Sequence, residues 1–209
     1  MSVEQIQEAV IKGRAPEVVS LVAAALEQGV AASDLLNEGL CAGMGIVGER
    51  FKKNEVFVPQ VLLAARAMKQ GTDLLKPHLI AAGVTPFATA VIGTIKGDLH
   101  DIGKNLVGMM LEGAGFKVVD AGIGVAPDRF VELAQEHDAR IVGVSALLTT
   151  TMVTMRAVVE AVRAAGLPAK VIVGGAPVTQ AFCDEIGADG YSPDAASAAE
   201  LAKRLAGGA

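Results

Sequence analysis

Residues 88–105 read Ala-Thr-Ala-Val-Ile-Gly-Thr-Ile-Lys-Gly-Asp-Leu-His-Asp-Ile-Gly-Lys-Asn. Ala88–Ile95 is a short apolar run, the length of a buried strand, and Gly97–Asn105 is a polar loop that opens into a helical pattern. Working outward, apolar runs return at Phe116–Val119, Ile141–Val144 and Lys170–Val173, with a short one at Gly190–Tyr191. Amphipathic stretches separate or follow them: Ile102–Ala114, Pro127–Glu136, Met152–Ala165, Thr179–Ile186 and Pro193–Leu205. Strand and helix therefore alternate, which predicts an α/β fold whose parallel sheet is covered on both faces. Each crossover is expected to be right-handed.

Upstream, the period changes and no strand-like alternation is found. Ser2 is placed to cap a helix ending at Gly13, and Pro16 to open a second that stops near Gly29. Ser33 is placed to cap a third, running past Leu36, Leu40 and Val47. Pro59 opens a fourth that extends toward Leu75. Short connections between them predict a four-helix bundle. The expected organisation is a helical domain over 1–83 and an α/β domain over 84–209, with a frayed Gly-Gly-Ala end.

Composition narrows the function. The chain has 209 residues, 18 basic against 23 acidic, and a formal charge of -5. That balance argues against nucleic-acid binding, which favours a basic face. Mean hydropathy is +0.46, yet aromatics make up only 3% of residues, with no Trp. The apolar mass is Ala, Val, Leu and Ile, which suits close-packed helices and buried strands. The charge-free window Pro77–Ile95 contains Gly83-Val84-Thr85-Pro86 at its middle, a turn rather than the centre of a membrane span. Met1–Ile11 carries two Glu and no long apolar core, so no signal peptide is expected. Cys41 and Cys183 lack any Cys or His at zinc-ligand spacing and read as buried thiols of a cytoplasmic protein.

Ligands of open parallel sheets sit beyond the carboxyl ends of the strands. Three of those loops are chemically unusual. After the first strand, Asp98 and His100 lie two apart. An imidazole that binds a metal through one nitrogen commonly gives its other N–H to a carboxylate, and Asp98 is placed to accept it. Gly103 leaves room at the start of the next helix. The same loop also reads as a helix terminus capped by Asp98 with His100 in solvent. After the third strand come Ser145, Leu147, Thr149, Thr150 and Thr151. These hydroxyls can bond a polar ligand or the Asp98 carboxylate, or one of them can cap the next helix. After the fourth strand, Gly174-Gly175 permits close backbone approach to a flat or phosphate-bearing ligand, or makes a plain tight turn. Neither it nor Gly122-Ile123-Gly124 forms GxGxxG.

Together, Asp-x-His-x-x-Gly, Ser-x-Leu and Gly-Gly after strands one, three and four resemble the cobalamin-binding modules of methyltransferases and mutases. With Gly43-Met44-Gly45 through Pro59-Gln60 in the helical part, the chain is similar to the free-standing corrinoid proteins of methanol, methylamine and methoxyarene methyltransferase systems. It is similar also to the cobalamin module of methionine synthase. The resemblance implies a flavodoxin-like, Rossmann-like five-stranded sheet under a four-helix cap. It implies His100 as the lower cobalt ligand in place of the cofactor's own base, with Asp98 and Thr151 completing a relay in which the family has serine where this chain has Thr151. Gly103, Ser145, Leu147, Thr149, Gly174 and Gly175 would line a tunnel for the nucleotide tail, with Tyr191 and Asp194 near its mouth. Phe51 and Val58, seven apart, would shield the upper face of the cofactor, and Gly83–Pro86 would be the hinge that lets this cap move.

The implied function is that of a methyl carrier. Cobalamin would accept a methyl group as Co(I) from a substrate-specific methyltransferase. It would pass the group on from methyl-Co(III) to a second methyltransferase with a folate or thiol acceptor. A radical mutase subunit shares the histidine loop but generally lacks the helical cap. A cobalamin-based sensor usually carries a DNA-binding part and a Trp above the cofactor, and Trp is absent here. A receiver-like signalling domain would pair the strand-end Asp120 with an acidic pair that the sequence does not offer.

Overall fold

The computed structural model describes residues 2–207; of the expected frayed end, Gly208 and Ala209 lie outside the described residues. Two compact units are present, Met1–Pro86 with Gly113–Gly115, and Phe87–Glu112 with Phe116–Ala209.

The first unit is helical: α1 (Val3–Ile11), α2 (Ala15–Glu27), α3 (Ala32–Asp34), a π-helical segment Leu35–Cys41, α4 (Ala42–Lys52) and α5 (Val58–Ala81). α1 stops at Ile11, before Gly13, which takes a φ of 66°. Ser33 is not a cap, because α3 begins at Ala32; its hydroxyl donates instead to Asp34 Oδ1 at 3.2 Å. The segment from Ala32 to Lys52 is one helical run with a π-wound middle, a feature that apolar spacing alone does not reveal. α5 runs on to Ala81 through Pro77, past the expected end near Leu75. Its buried stripe of Val61, Ala64, Ala67, Met68, Gly71 and Leu75 packs on α2, which buries Val18, Val22 and Ala25. The small residues are what permit this approach: a Cβ at Gly71 would stand 2.9 Å from both Leu40 and Val18 side-chain carbons.

The second unit alternates strand and helix: β1 (Thr89–Thr94), α6 (Ile102–Gly113), β2 (Lys117–Asp120), α7 (Pro127–Glu136), β3 (Ile141–Ser145), α8 (Thr149–Met152), α9 (Met155–Ala164), β4 (Lys170–Gly174), α10 (Gln180–Ile186), β5 (Gly190–Tyr191) and α11 (Ala195–Leu205). The five strands form one parallel sheet in the order β2-β1-β3-β4-β5. This is the flavodoxin-like order, whose switch point lies between β1 and β3. Register sets Thr94 beside Ser145 and Ser145 beside Gly174, so the ends of the three central strands form a level edge.

One face of the sheet carries a core of Val91, Val142, Val144, Val171 and Val173 against Phe130, Val158, Val159 and Val162 from α7 and α9. Each fully buried valine contributes on the order of 1.5–3 kcal/mol. Phe130 lies over Gly93 so closely that a Cβ there would meet two of its ring carbons at 2.8 Å. Gly93→Ala should therefore lower unfolding free energy by about 1–3 kcal/mol through overpacking. Urea denaturation checks this, and an unchanged midpoint would refute the packing account.

Candidate functional site

The loops after β1 and β3 meet across the switch point at one side chain. Asp98 is fully buried, while the His100 side chain is 52% exposed. Asp98 Oδ1 accepts hydrogen bonds from the His100 backbone N–H at 3.0 Å and from His100 Nδ1 at 2.7 Å. Asp98 Oδ2 accepts from the Leu147 N–H at 2.8 Å, the Leu148 N–H at 3.2 Å and the Thr151 hydroxyl at 2.8 Å. Burial by itself raises the pKa of this carboxyl. The hydrogen bonds from Leu147 N–H, His100 N–H, the His100 ring and Thr151 outweigh it and hold the group well below its ordinary value of 3.8.

An ionised carboxylate only accepts, so Nδ1 of His100 donates to it, and in the neutral ring Nε2 is the nitrogen that offers an electron pair. The histidine is pinned a third way, because Thr94 Oγ1 donates to its carbonyl oxygen at 2.8 Å. Thr151 Oγ1 also lies 3.0 Å from the Leu148 carbonyl. A hydroxyl has one proton to give, and the charged acceptor makes the stronger bond. Asp98 is thus tied into the strand-end loops and caps no helix, and Thr151 uses its hydroxyl on the carboxylate.

The remaining expected residues are placed as follows. Ser145 ends β3 and Gly174 ends β4, side by side in register. Gly175 takes a φ of 123°, and a Cβ there would stand 1.8 Å from the Ala146 carbonyl oxygen, so only glycine fits. Gly103 lies in the first turn of α6 with open space where a Cβ would be. Leu147 and Thr149 are exposed in the loop and at the start of α8. Tyr191 lies within β5 rather than after it. Asp194 is occupied as the cap of α11, accepting from the backbone N–H of Ser197 at 2.9 Å and its hydroxyl at 2.8 Å. Phe51, in α4, and Val58, opening α5, are half-buried residues of the helical unit.

Sequence reading missed an apolar collar. Leu99 (71% exposed) and Ile102 (75%) follow β1, Ile123 follows β2, and Leu148 and Val153 join Leu147 after β3. Their signal was available: large apolar side chains inside polar loops, with Leu99 and Ile102 on either side of His100-Asp101. Exposed apolar surface concentrated at a strand-end edge marks a ligand face.

The B12 binding domain family matches residues 88–200, and a second family of the same description matches residues 2–76. The chain belongs to the B12-binding family. A corrinoid protein of Desulfitobacterium hafniense is 39% identical over 98% of this chain and 97% of its own. Dimethylamine corrinoid protein 3 of Methanosarcina acetivorans is 42% identical over 96% of this chain and 95% of its own. In three dimensions the chain resembles one in the crystal structure of the methanol:cobalamin methyltransferase complex MtaBC from Methanosarcina barkeri, with TM-score 0.87 and 31% identity, covering 99% of this chain and 80% of that one.

Cobalamin is therefore the cofactor of this B12-binding protein, and the residues fit it. Among the described residues no three His, Cys, Asp or Glu side chains converge to hold a bare metal ion. One imidazole with a bare Nε2 instead suits a metal that arrives with its other ligands. The apolar collar suits the broad face of a macrocycle, and the open space beside Gly103 leaves room for bulk. Among the described residues no helix is long and apolar enough to cross a membrane.

A carboxyl with a depressed folded-state pKa contributes stability above its unfolded pKa and loses it as pH falls through the folded value. The apoprotein should therefore lose stability as pH drops below about 4, and Asp98→Asn should flatten that loss. Urea unfolding between neutral and acid pH measures it, and parallel profiles would sink the assignment. Thr151→Val should cost about 1–3 kcal/mol by removing a donor from a buried charge, whereas Thr151→Ser should restore most of it in the same assay.

Proposed function

We propose that this protein is a corrinoid methyl carrier in which His100 Nε2 is the lower ligand of cobalt. The observation that carries this reading is the carboxylate-locked imidazole, with its free nitrogen left exposed at the switch-point edge. The names of the relatives, corrinoid proteins and a dimethylamine corrinoid protein, and the methanol:cobalamin methyltransferase complex support it.

When bound, the corrinoid supplies a cobalt centre that takes a methyl group from one partner and yields it to another. The chain's residues serve that exchange. Asp98 holds the ring of His100 in one orientation, so Nε2 would be presented to cobalt in one fixed direction. Thr151 and the Leu147 and Leu148 N–H groups keep Asp98 charged throughout. Leu99, Ile102, Ile123 and Leu147 present an apolar surface that excludes water from the ring. By resemblance, Ser145, Thr149, Gly174 and Gly175 accept the nucleotide tail, Gly103 gives it room, and Phe51 and Val58 act as a shield.

The partners under this reading are a substrate-specific methyltransferase of the methylamine, methanol or methoxyarene type and an acceptor methyltransferase using a folate or thiol. Reconstitution of the full chain with hydroxocobalamin tests the assignment. The wild type should give a spectrum with the cofactor's own base displaced and a histidine bound. His100→Ala should lose that signature and bind the corrinoid roughly 10–100-fold more weakly. Identical spectra for the two proteins would overturn the ligand assignment.

A further inference from the structure

A second buried charge lies four residues after His100. The side chain of Lys104, in the first turn of α6, is only 3% exposed. Its ammonium donates to Asp120 Oδ2 at 2.5 Å and to Asn105 Oδ1 at 2.7 Å. Asp120 ends β2 and is half exposed, so the lysine is the group that burial has cost. Replacing a buried ion pair by well-packed apolar side chains is often neutral or stabilising. Stability alone therefore gives no reason for a lysine here. Orientation does: with Oδ2 taken by Lys104, Oδ1 of Asp120 is turned onto the backbone N–H of Gly122 at 2.8 Å.

That bond adds a side-chain anchor to a loop whose backbone is also tied to β1, where the Thr94 N–H donates to the Gly122 carbonyl at 3.0 Å and the Val125 N–H donates to the Thr94 carbonyl at 2.9 Å. Gly122 and Gly124 take φ of 89° and 64°, and nothing lies within 4 Å of a Cβ at either. Between them is Ile123, one of the exposed collar residues. The far side of the loop donates from Gly124 N–H to the Asp98 carbonyl at 3.1 Å. On the other flank, Asn105 reaches back to Asp101 Oδ2 at 3.1 Å. Asp101, Asn105, Lys104, Asp120 and Gly122 thus form a chain of polar contacts from the turn after His100 to the loop bearing Ile123.

We propose that Lys104 is a positioning residue for the corrinoid: acting through Asp120, it sets the β2–α7 loop so that Ile123 meets the edge of the cofactor. This inference rests on the carrier reading and deepens it. Lys104 touches no ligand; its product is the geometry of the loop.

The test uses the full chain as Lys104→Met, with the double variant Lys104→Met/Asp120→Ala as the second, because removing both charges leaves no buried ammonium without a partner. Two readouts apply: amide hydrogen exchange at 122–124 in the apoprotein, and hydroxocobalamin affinity and release rate followed by absorbance. Both variants should keep cooperative unfolding, exchange faster at 122–124, and hold hydroxocobalamin roughly tenfold less tightly. Unchanged exchange at 122–124, or affinity within about twofold of wild type, overturns the proposal. If Lys104→Met does not fold, the double variant decides by the same criteria. Failure of the wild type to bind hydroxocobalamin would overturn the carrier reading itself. Wild-type binding with histidine ligation, matched by both variants, would overturn only the role of Lys104.

Discussion

A buried carboxylate without partners costs several kcal/mol, and Asp98 is buried completely. The site is organised by the need to satisfy that one charge. Five donors do so: two from His100, the N–H groups of Leu147 and Leu148, and the hydroxyl of Thr151. Two of the five come from the residue that Asp98 orients and three from the segment after β3, Leu147 and Leu148 in the loop and Thr151 in α8, so the carboxylate couples two strand-end segments that parallel topology places side by side. A shift in either loop leaves donors or the charge unmatched. The exposed imidazole thereby inherits the rigidity of the sheet edge.

The same edge shows how a site for a large cofactor can be built from small residues. Thr94, Ser145 and Gly174 end neighbouring strands in register. Gly175 follows in a conformation that excludes any side chain. Around this level edge the loops turn apolar side chains outward, an arrangement that is unfavourable in water and is relieved when a macrocycle covers it. The high hydropathy of the chain is thus divided among a valine-rich sheet, close-packed helices in the first unit, and a collar left exposed for a ligand. Lys104 adds a second buried charge to the same edge, and its pairing with Asp120 gives the glycine-flanked Ile123 loop a fixed anchor.

Much of this was legible in the sequence. Each strand lies within a residue or two of its expected run, because buried parallel strands leave short apolar segments bounded by glycine and polar loops. Helix detail was less legible. Ser33 has the composition of a cap, yet the helix starts before it, and the π-wound Leu35–Cys41 has no distinct apolar period. The helix opened by Pro59 is expected to extend toward Leu75, and α5 continues through Pro77 to Ala81. Asp194, expected near a ligand mouth, spends its carboxylate on capping α11 through Ser197, a local role that its residue type does not announce. Local competition for hydrogen bonds decides such cases, and residue type does not record the winner.

Sequence by itself determined the alternation of strand and helix, the strand-end position of His100 with Asp98 two residues before it, and the cluster of hydroxyls beyond β3. These follow from local periodicity and spacing. Tertiary structure decided which hydroxyl reaches the carboxylate, since Thr151 lies 53 residues from Asp98. It also decided that Lys104 turns inward to Asp120, 16 residues on, rather than outward to solvent. Both outcomes depend on strand order and register, which place distant segments within hydrogen-bonding reach, and no local pattern encodes that distance.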